Sequence, residues 1–161
     1  MLNQIIVDKI NDQIGKEFFS AYLYRAIASY FENKSMSGFA HWFKKQAGEE
    51  VEHADKFIEY LEDNNALVVL PALNKPGVAF NNVEEALKAA YDHELFITAS
   101  INEIAKAAKA EDDFRTLNFL NWFHAEQMEE EKSALGLLEA YQYIGDDKAA
   151  QLNMDHGLAK R

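Results

Sequence analysis

Both prolines of this 161-residue chain, Pro71 and Pro76, lie in one segment, residues 65–81, and the long stretches on either side contain none. Proline inside a helix removes a hydrogen bond and clashes with the preceding turn, so its absence favours helices on both sides of the segment. The chain is therefore expected to be all-α, with one long connection near its middle. At this length a single domain, residues 1–161, can bury a sufficient core without a disulfide or a structural metal.

Capping residues set the expected ends of the helices. Asn82 and Glu85 have the spacing of a capping box, and Ser35 or Ser37 can provide the N-cap of the second helix. Gly145 is suited to the C-terminal end of a helix. The four long helices are therefore predicted over residues 3–33, from 35 or 37 to 64, over 82–109, and from the acidic residues 111–113 to 145.

Helices of this length predict an elongated four-helix bundle over residues 3–145, because each is about 45 Å long at 1.5 Å per residue. Short turns make helices one and two antiparallel, and likewise three and four, whereas the middle connection is long enough to cross the bundle. Within this crossover, residues 67–70 (Leu-Val-Val-Leu) resemble a short exposed strand that would need a partner chain. Residues 146–161 predict a short fifth helix and a tail.

Each predicted helix carries an apolar stripe with alternating spacings of three and four residues, which is the face that a helix turns toward a bundle axis. Polar residues interrupt every stripe near its midpoint. Since the interruptions lie at similar heights on four helices, we expect them to converge at one level of the bundle. The interrupting residues are Glu17, Glu50, His53, Glu94, Gln127 and Glu130.

Carboxylates buried at that level need a counter-charge, because burying an unpaired charge costs several kcal/mol. Protonation would neutralise them but would leave acids in the core without a role. Two divalent cations carry four positive charges, which match Glu17, Glu50, Glu94 and Glu130. Carboxylates with one imidazole favour iron or manganese, with zinc as a competitor, and the chain has no cysteine to provide thiolates. The pattern therefore predicts a dinuclear metal centre.

Further residues lie close to this set in the sequence. Glu49, Glu126 and Glu129 are each one residue from a member of the set, and they are either additional metal ligands or part of a solvated acidic face. Tyr24 shares a stripe with Glu17, about 10 Å away along the axis, where it can donate an electron or simply pack. The remaining histidines lack a carboxylate partner on a stripe and are interpreted as ordinary residues: His41, His93, His124 and His156.

The charge of the chain limits its partners. With 27 acidic and 16 basic residues the formal charge is −11, which disfavours nucleic acids and anionic membranes and favours cations. The first residues lack a basic flank followed by a long apolar stretch, and the longest apolar run, residues 66–73, is too short to span a membrane. We therefore expect a soluble cytoplasmic protein.

The pattern of Glu17, Glu50-x-x-His53, Glu94 and Gln127-x-x-Glu130, on four long helices with a crossover after the second, resembles the ferritin family, and bacterial non-haem ferritin within it. The resemblance covers essentially the whole chain. It implies a homo-oligomeric 24-subunit cage that oxidises Fe(II) with O2 or H2O2 at the dinuclear site and stores the ferric mineral. It also implies that these six residues are catalytic and bind the metal, and that Tyr24 is a further catalytic residue beside the centre. Finally, it implies a third iron site formed by Glu49, Glu126, Glu129 and Glu130.

Two departures from neighbouring families refine this expectation. Val51 stands where bacterioferritin has a haem-ligating methionine, so no haem is expected. This chain has Gln127-x-x-Glu130 where bacterioferritin and the di-iron oxygenases have Glu-x-x-His. The amide and carboxylate of this chain should hold the second iron less tightly and favour its release to a mineral. A di-iron oxidoreductase without a storage role, and a purely structural or lipophilic-ligand bundle, remain alternatives. The oligomeric state distinguishes the di-iron oxidoreductase from a storage protein, since storage requires a cage.

Overall fold

Five helices and no strand occur in residues 2–77 and 79–161, the parts of the chain that this computed structural model describes. In the bundle α1 packs along α2, α3 packs along α4, and α1 also contacts α3, while α5 packs on α2. This architecture confirms the predicted all-α bundle with one long crossover and a short fifth helix. The helices are α1 (Gln4–Glu32), α2 (Ser37–Asp63), α3 (Val83–Ala110), α4 (Phe114–Ile144) and α5 (Lys148–Leu158).

Short polar side chains begin four of the helices. Asn3, Asn82, Asp113 and Asp147 each accept a hydrogen bond from a backbone N–H in the first turn of the following helix. These bonds satisfy donors that have no partner inside the helix. Gly145 ends α4 with a φ of +59°, a value that glycine adopts without strain. The boundaries predicted for α1, α3 and α4 are therefore confirmed to within about a residue.

The start of α2 differs from the prediction. Neither Ser35 nor Ser37 caps this helix: Met36 occupies the N-cap position and makes no side-chain cap hydrogen bond. The expected serine cap is wrong because a group distant in the sequence provides the cap. The side chain of Asp155 in α5 accepts the backbone N–H of Phe39 over 2.9 Å. The fifth helix therefore supplies the cap of the second.

The contact between α2 and α5 requires a glycine. A Cβ placed on Gly38 would lie 1.6 Å from the carbonyl oxygen of Asp155. No side chain fits in that space. The backbones of the two helices can approach this closely because Gly38 lacks a side chain. This contact fixes α5, and the residues that follow it, against α2.

Residues 67–71 of the crossover pack on α1, and none of the described residues of the crossover forms a strand. The side chain of Asn11 donates to the carbonyl of Leu67 over 3.0 Å and accepts the N–H of Val69 over 2.7 Å, so it pairs with this backbone as a neighbouring strand would. A Cβ on Gly15 would lie 2.3 Å from the ring of Pro71, which shows how tightly the segment packs on α1. Pairing of residues 67–70 with a second chain stays a prediction.

Two apolar clusters make up the core, one toward each end of the bundle. In one of them the rings of Phe31 and Phe39 stack with centroids 5.0 Å apart, and in the other Phe57 and Phe123 stack at 4.0 Å. A layer of buried polar side chains separates the clusters at mid-height. Among the described residues, no helix is long and apolar enough to cross a membrane.

Candidate metal centre

The polar layer contains all the residues that interrupt the predicted stripes. Charged side chains are rarely this buried unless they are paired with another charge or bind a cation. Their convergence inside one bundle agrees with the prediction made from their heights along the helices. The relative exposures are 0% for Glu17, 1% for Glu50, 3% for His53, 2% for Glu94, 3% for Gln127 and 6% for Glu130.

Three of these residues form a compact group. One ligand atom each from Glu17, Glu50 and His53 lies within 4.8 Å of the others, and His53 Nδ1 is 3.3 Å from Glu50 Oε2. The remaining oxygens, Glu17 Oε2 and Glu50 Oε1, are buried and have no hydrogen-bond partner in the part of the chain that the structure describes. Buried acceptors without partners are rare in proteins, and two on carboxylates of one ligand group suit a bound cation.

A second group shares the histidine. His53, Glu126 and Glu130 also offer ligand atoms that lie within 4.8 Å of one another, and His53 Nε2 is 3.7 Å from Glu126 Oε1. Glu126 is partly exposed, whereas the other two are buried, so this group leads from the layer toward the side of the bundle. The two ring nitrogens of His53 thus face different sets of carboxylates.

Glu94 of α3 is held from two sides. The hydroxyl of Tyr24 donates a hydrogen bond to Glu94 Oε1, and Gln127 Nε2 donates to Glu94 Oε2 over 3.1 Å. Tyr24 itself is almost completely buried. Tyr24 therefore contacts a carboxylate of the polar layer, and its role beside a metal centre stays a prediction.

The electrostatics of the layer show that its carboxylates need compensation by positive charge or by protonation. Burial, followed by the charge of neighbouring glutamates, raises the pKa of Glu17 and Glu50 well above the ordinary range. Burial and the charge of Glu94 raise the pKa of Glu130 to about 7, although the hydrogen bond from Gln46 opposes this. Burial also raises the pKa of Glu94, against the hydrogen bonds from Tyr24 and Gln127. Protons or cations must therefore compensate the acids of this layer.

The flanking acids do not form one compact group. Glu126 joins His53, as described above, but Glu49 forms an ion pair with Arg161 over 2.7 Å. Glu129 is exposed on α4. Of the set Glu49, Glu126, Glu129 and Glu130, only Glu126 and Glu130 share a ligand group in the structure.

Two glutamines without a predicted role hold carboxylates of the layer. Gln13 Nε2 donates to Glu17 Oε1 over 2.8 Å, and Gln46 Nε2 donates to Glu130 Oε2 over 2.6 Å. Both glutamines are buried, and each lies one helical turn before a glutamate of the layer, at position i−4. That spacing, combined with an apolar face, is the signal that could have identified them.

His93, which precedes Glu94 directly, packs against Ser20 and Tyr24. Its Nε2 lies 2.7 Å from the hydroxyl of Ser20, and its ring meets Tyr24 edge-on at 6.1 Å. Burial lowers the pKa of His93 to about 4, so the ring is neutral near pH 7. It contributes to the packing behind Tyr24.

Long helices around a buried cluster of carboxylates and histidine place the chain in the class of four-helix bundles whose core contains residues that can bind a metal. The sequence model of the ferritin-like domain family matches residues 7–144. The chain belongs to the ferritin family. It is 34% identical over 150 residues to the bacterial non-haem ferritin of Staphylococcus aureus, with 93% of this chain and 90% of the relative covered.

Two further similarities extend over nearly the full length. A probable bacterial non-haem ferritin-like protein of Haemophilus influenzae is 32% identical over 158 residues, which cover 98% of this chain and 96% of the relative. The crystal structure of an open pore ferritin from the archaeon Archaeoglobus fulgidus superimposes with a TM-score of 0.98. It is 38% identical, and the match covers 100% of this chain and 99% of the archaeal one.

Proposed function

We propose that this protein stores iron and is a ferroxidase, which oxidises Fe(II) to Fe(III) at a dinuclear site inside one subunit and deposits the ferric product in a hollow cage. The observation that supports this best is that Glu17 and Glu50, which form a ligand group with His53 in a ferritin-family bundle, each have a buried carboxylate oxygen without a hydrogen-bond partner among the described residues. Iron is the substrate and the cargo, and no haem takes part.

The proposed ligands divide between two ions. Glu17, Glu50 and His53 hold the first, and Glu94, Glu130 and Gln127 hold the second. The four carboxylates among them neutralise two Fe(II) ions, so loading removes the unfavourable electrostatics of the layer. Because Gln127 offers only a neutral amide oxygen, the second iron is held less tightly and can leave after oxidation.

The redox step is a two-electron reaction. Two Fe(II) ions give one electron each, and O2 takes both electrons with two protons to become H2O2. With H2O2 as the oxidant, the same electrons and two protons yield two molecules of water. Tyr24 orients Glu94 through its hydroxyl and is close enough to the site to supply a further electron.

Storage requires more than one chain. We propose a 24-subunit cage in the cytoplasm, in which residues 67–70 pair with a second copy, and a third iron site at Glu49, Glu126, Glu129 and Glu130. The family membership supports these proposals, and the acid pair of Glu126 and Glu130 beside His53 supports the third site.

Aerobic titration of Fe(II) into the metal-free protein tests the function, with ferric absorbance and retained iron per chain as readouts. Retention of many more than three irons per chain is expected, together with loss of fast oxidation in the double variant Glu50→Ala, His53→Ala. The double variant Glu52→Ala, His41→Ala changes the same residue types outside the layer on α2 and should behave as the wild type. A plateau at two irons or fewer would instead favour the di-iron oxidoreductase.

A further inference from the structure

Arg161, three residues beyond the end of α5, has its guanidinium at the edge of the proposed iron sites. Arg161 Nη2 lies 2.7 Å from Glu49 Oε2, and the guanidinium carbon sits 4.8 Å from the centroid of the Trp42 ring. Glu49 is the immediate neighbour of Glu50 on α2. A cation of the chain itself thus contacts one of the acids proposed for the third iron.

The position of this guanidinium follows from the docking of α5. Asp155 caps α2 through the N–H of Phe39, and Gly38 allows the two backbones to meet. After α5, the N–H groups of Lys160 and Arg161 donate to carbonyls near the end of that helix, which turns the chain back toward α2. The contacts that place Arg161 next to Glu49 therefore do not depend on the ion pair.

The negative charge of Glu49 lies close to the buried acids. It repels the carboxylates of Glu50 and Glu130. A positive group bound to Glu49 offsets that repulsion without entering the layer. The positive group also occupies a carboxylate oxygen that a metal ion would need at the outer acids, the proposed third-site residues Glu49, Glu126, Glu129 and Glu130.

We propose that Arg161 is a built-in competitor for metal at the outer acids: its guanidinium holds Glu49 until a cation displaces it. This inference rests on the third iron site of the proposed function. The competition keeps the outer site weaker than the inner pair, so iron fills the oxidising centre first and reaches Glu49 only when the inner ligands are taken.

The effect is expected to be moderate. Side chains in this ion pair remain 33% and 41% exposed, and half-exposed ion pairs and cation–π contacts are individually weak. Removing the guanidinium should therefore tighten binding of metal to the outer site by about three- to tenfold. The inner pair should change much less, because Arg161 does not touch its ligands.

Calorimetric titration with Zn(II) alone tests this proposal, since zinc accepts the same oxygen and nitrogen ligands and does not change oxidation state. The variants are Arg161→Gln and, as a matched control, Lys160→Gln, which removes one positive charge from the adjacent residue. Lys160 forms no ion pair within the described part of the chain. We expect a tighter third zinc in Arg161→Gln only, and loss of that third zinc in Glu49→Gln.

Fluorescence gives an independent readout, because Trp42 and Trp122 are the only tryptophans of the chain. In a Trp122→Phe background, the third zinc should change the emission of Trp42 as the guanidinium leaves its ring. Adding Arg161→Gln should abolish that change.

Equal affinity for the third zinc in wild type and Arg161→Gln, or an unchanged Trp42 signal, would overturn the competition. Two tight zinc ions with no third would also overturn it while leaving the dinuclear centre intact. Failure to bind zinc at all would contradict the proposed function itself.

Discussion

The amide of Gln46 on α2 donates to Glu130 Oε2 on α4 over 2.6 Å, while its own carbonyl oxygen is buried and has no partner within residues 2–77 and 79–161. The amide thereby links facing helices across the polar layer and stabilises the ionised form of one carboxylate. Hydrogen bonds to charged groups are roughly twice as strong as neutral ones. The link should therefore matter most when Glu130 has lost its proton.

Replacement of this amide tests that idea. Gln46→Met keeps a similar volume and removes the donor, and we expect it to destabilise the metal-free protein by about 1 kcal/mol or more at pH 8. At pH 5 the effect should be smaller, because protonated Glu130 depends less on a donor. Chemical unfolding at the two pH values measures the difference, and an equal loss at both would contradict the assignment.

The raised pKa values predict how stability depends on pH without metal. Because the folded state raises the pKa of Glu130 to about 7, it holds this proton more tightly than the unfolded chain does. That stabilisation is present below the unfolded pKa of about 4.3 and is lost as pH rises through 7. Glu17 and Glu50 act in the same direction. The metal-free Tm should therefore fall by about 5 °C or more between pH 5.5 and 8.

Controls separate this effect from general charge repulsion. Glu130→Gln should flatten the pH dependence of the Tm, whereas Glu129→Gln, which changes an exposed acid next to it, should leave it steep. Saturating Zn(II) should also flatten it, because a cation replaces the protons, and binding should release protons into the buffer. A metal-free Tm that rises steadily over this range would refute the account.

Much of the architecture could be predicted because it depends on local rules. The positions of Pro71 and Pro76 located the crossover, and the stripes located the buried faces: Glu17 and Glu94 interrupt apolar stripes that are buried as expected. A heptad pattern reports the side of a helix that is buried, and four such patterns report a common height. Geometry of this kind needs no knowledge of tertiary contacts.

Features that depend on distant contacts could not be predicted. The cap of α2 comes from Asp155, more than one hundred residues away, so the nearby Ser35 and Ser37 were misleading. The partner of Glu49 is Arg161, which no periodicity connects to α2. Such pairings are set by how α5 docks, and single-helix patterns contain no information about that docking.

The hydroxyl of Tyr24, which donates a hydrogen bond to Glu94, can be removed without changing the ring. Tyr24→Phe should preserve the fold, destabilise the protein by about 1 kcal/mol through loss of the hydrogen bond to Glu94, and slow the first rapid phase of iron oxidation. Tyr22→Phe is the matched control, since Tyr22 lies on the same helix and is 51% exposed. Stopped-flow absorbance measures the rates. Equal rates in both variants would show that Tyr24 only packs.

The two glycines of α2 offer a paired test of how α5 docks. Gly38→Ala should place a methyl group against the backbone of Asp155, detach α5 and lower the Tm, whereas Gly48 has open space around it. Gly48→Ala should stabilise the helix by about 0.5–1 kcal/mol. Thermal unfolding together with proteolysis of the α5 segment measures both outcomes, and equal behaviour of the two variants would contradict the close contact.

The most direct test of the central claim is anomalous diffraction at the iron absorption edge from crystals loaded with Fe(II) under anaerobic conditions. We predict two strong peaks in the polar layer of each subunit, one contacting Glu17, Glu50 and His53 and one contacting Glu94 and Glu130. Crystals of the Glu50→Ala, His53→Ala variant should lose at least the first peak. Iron found only on the surface, with the layer free of anomalous signal in the wild type, would contradict the dinuclear centre.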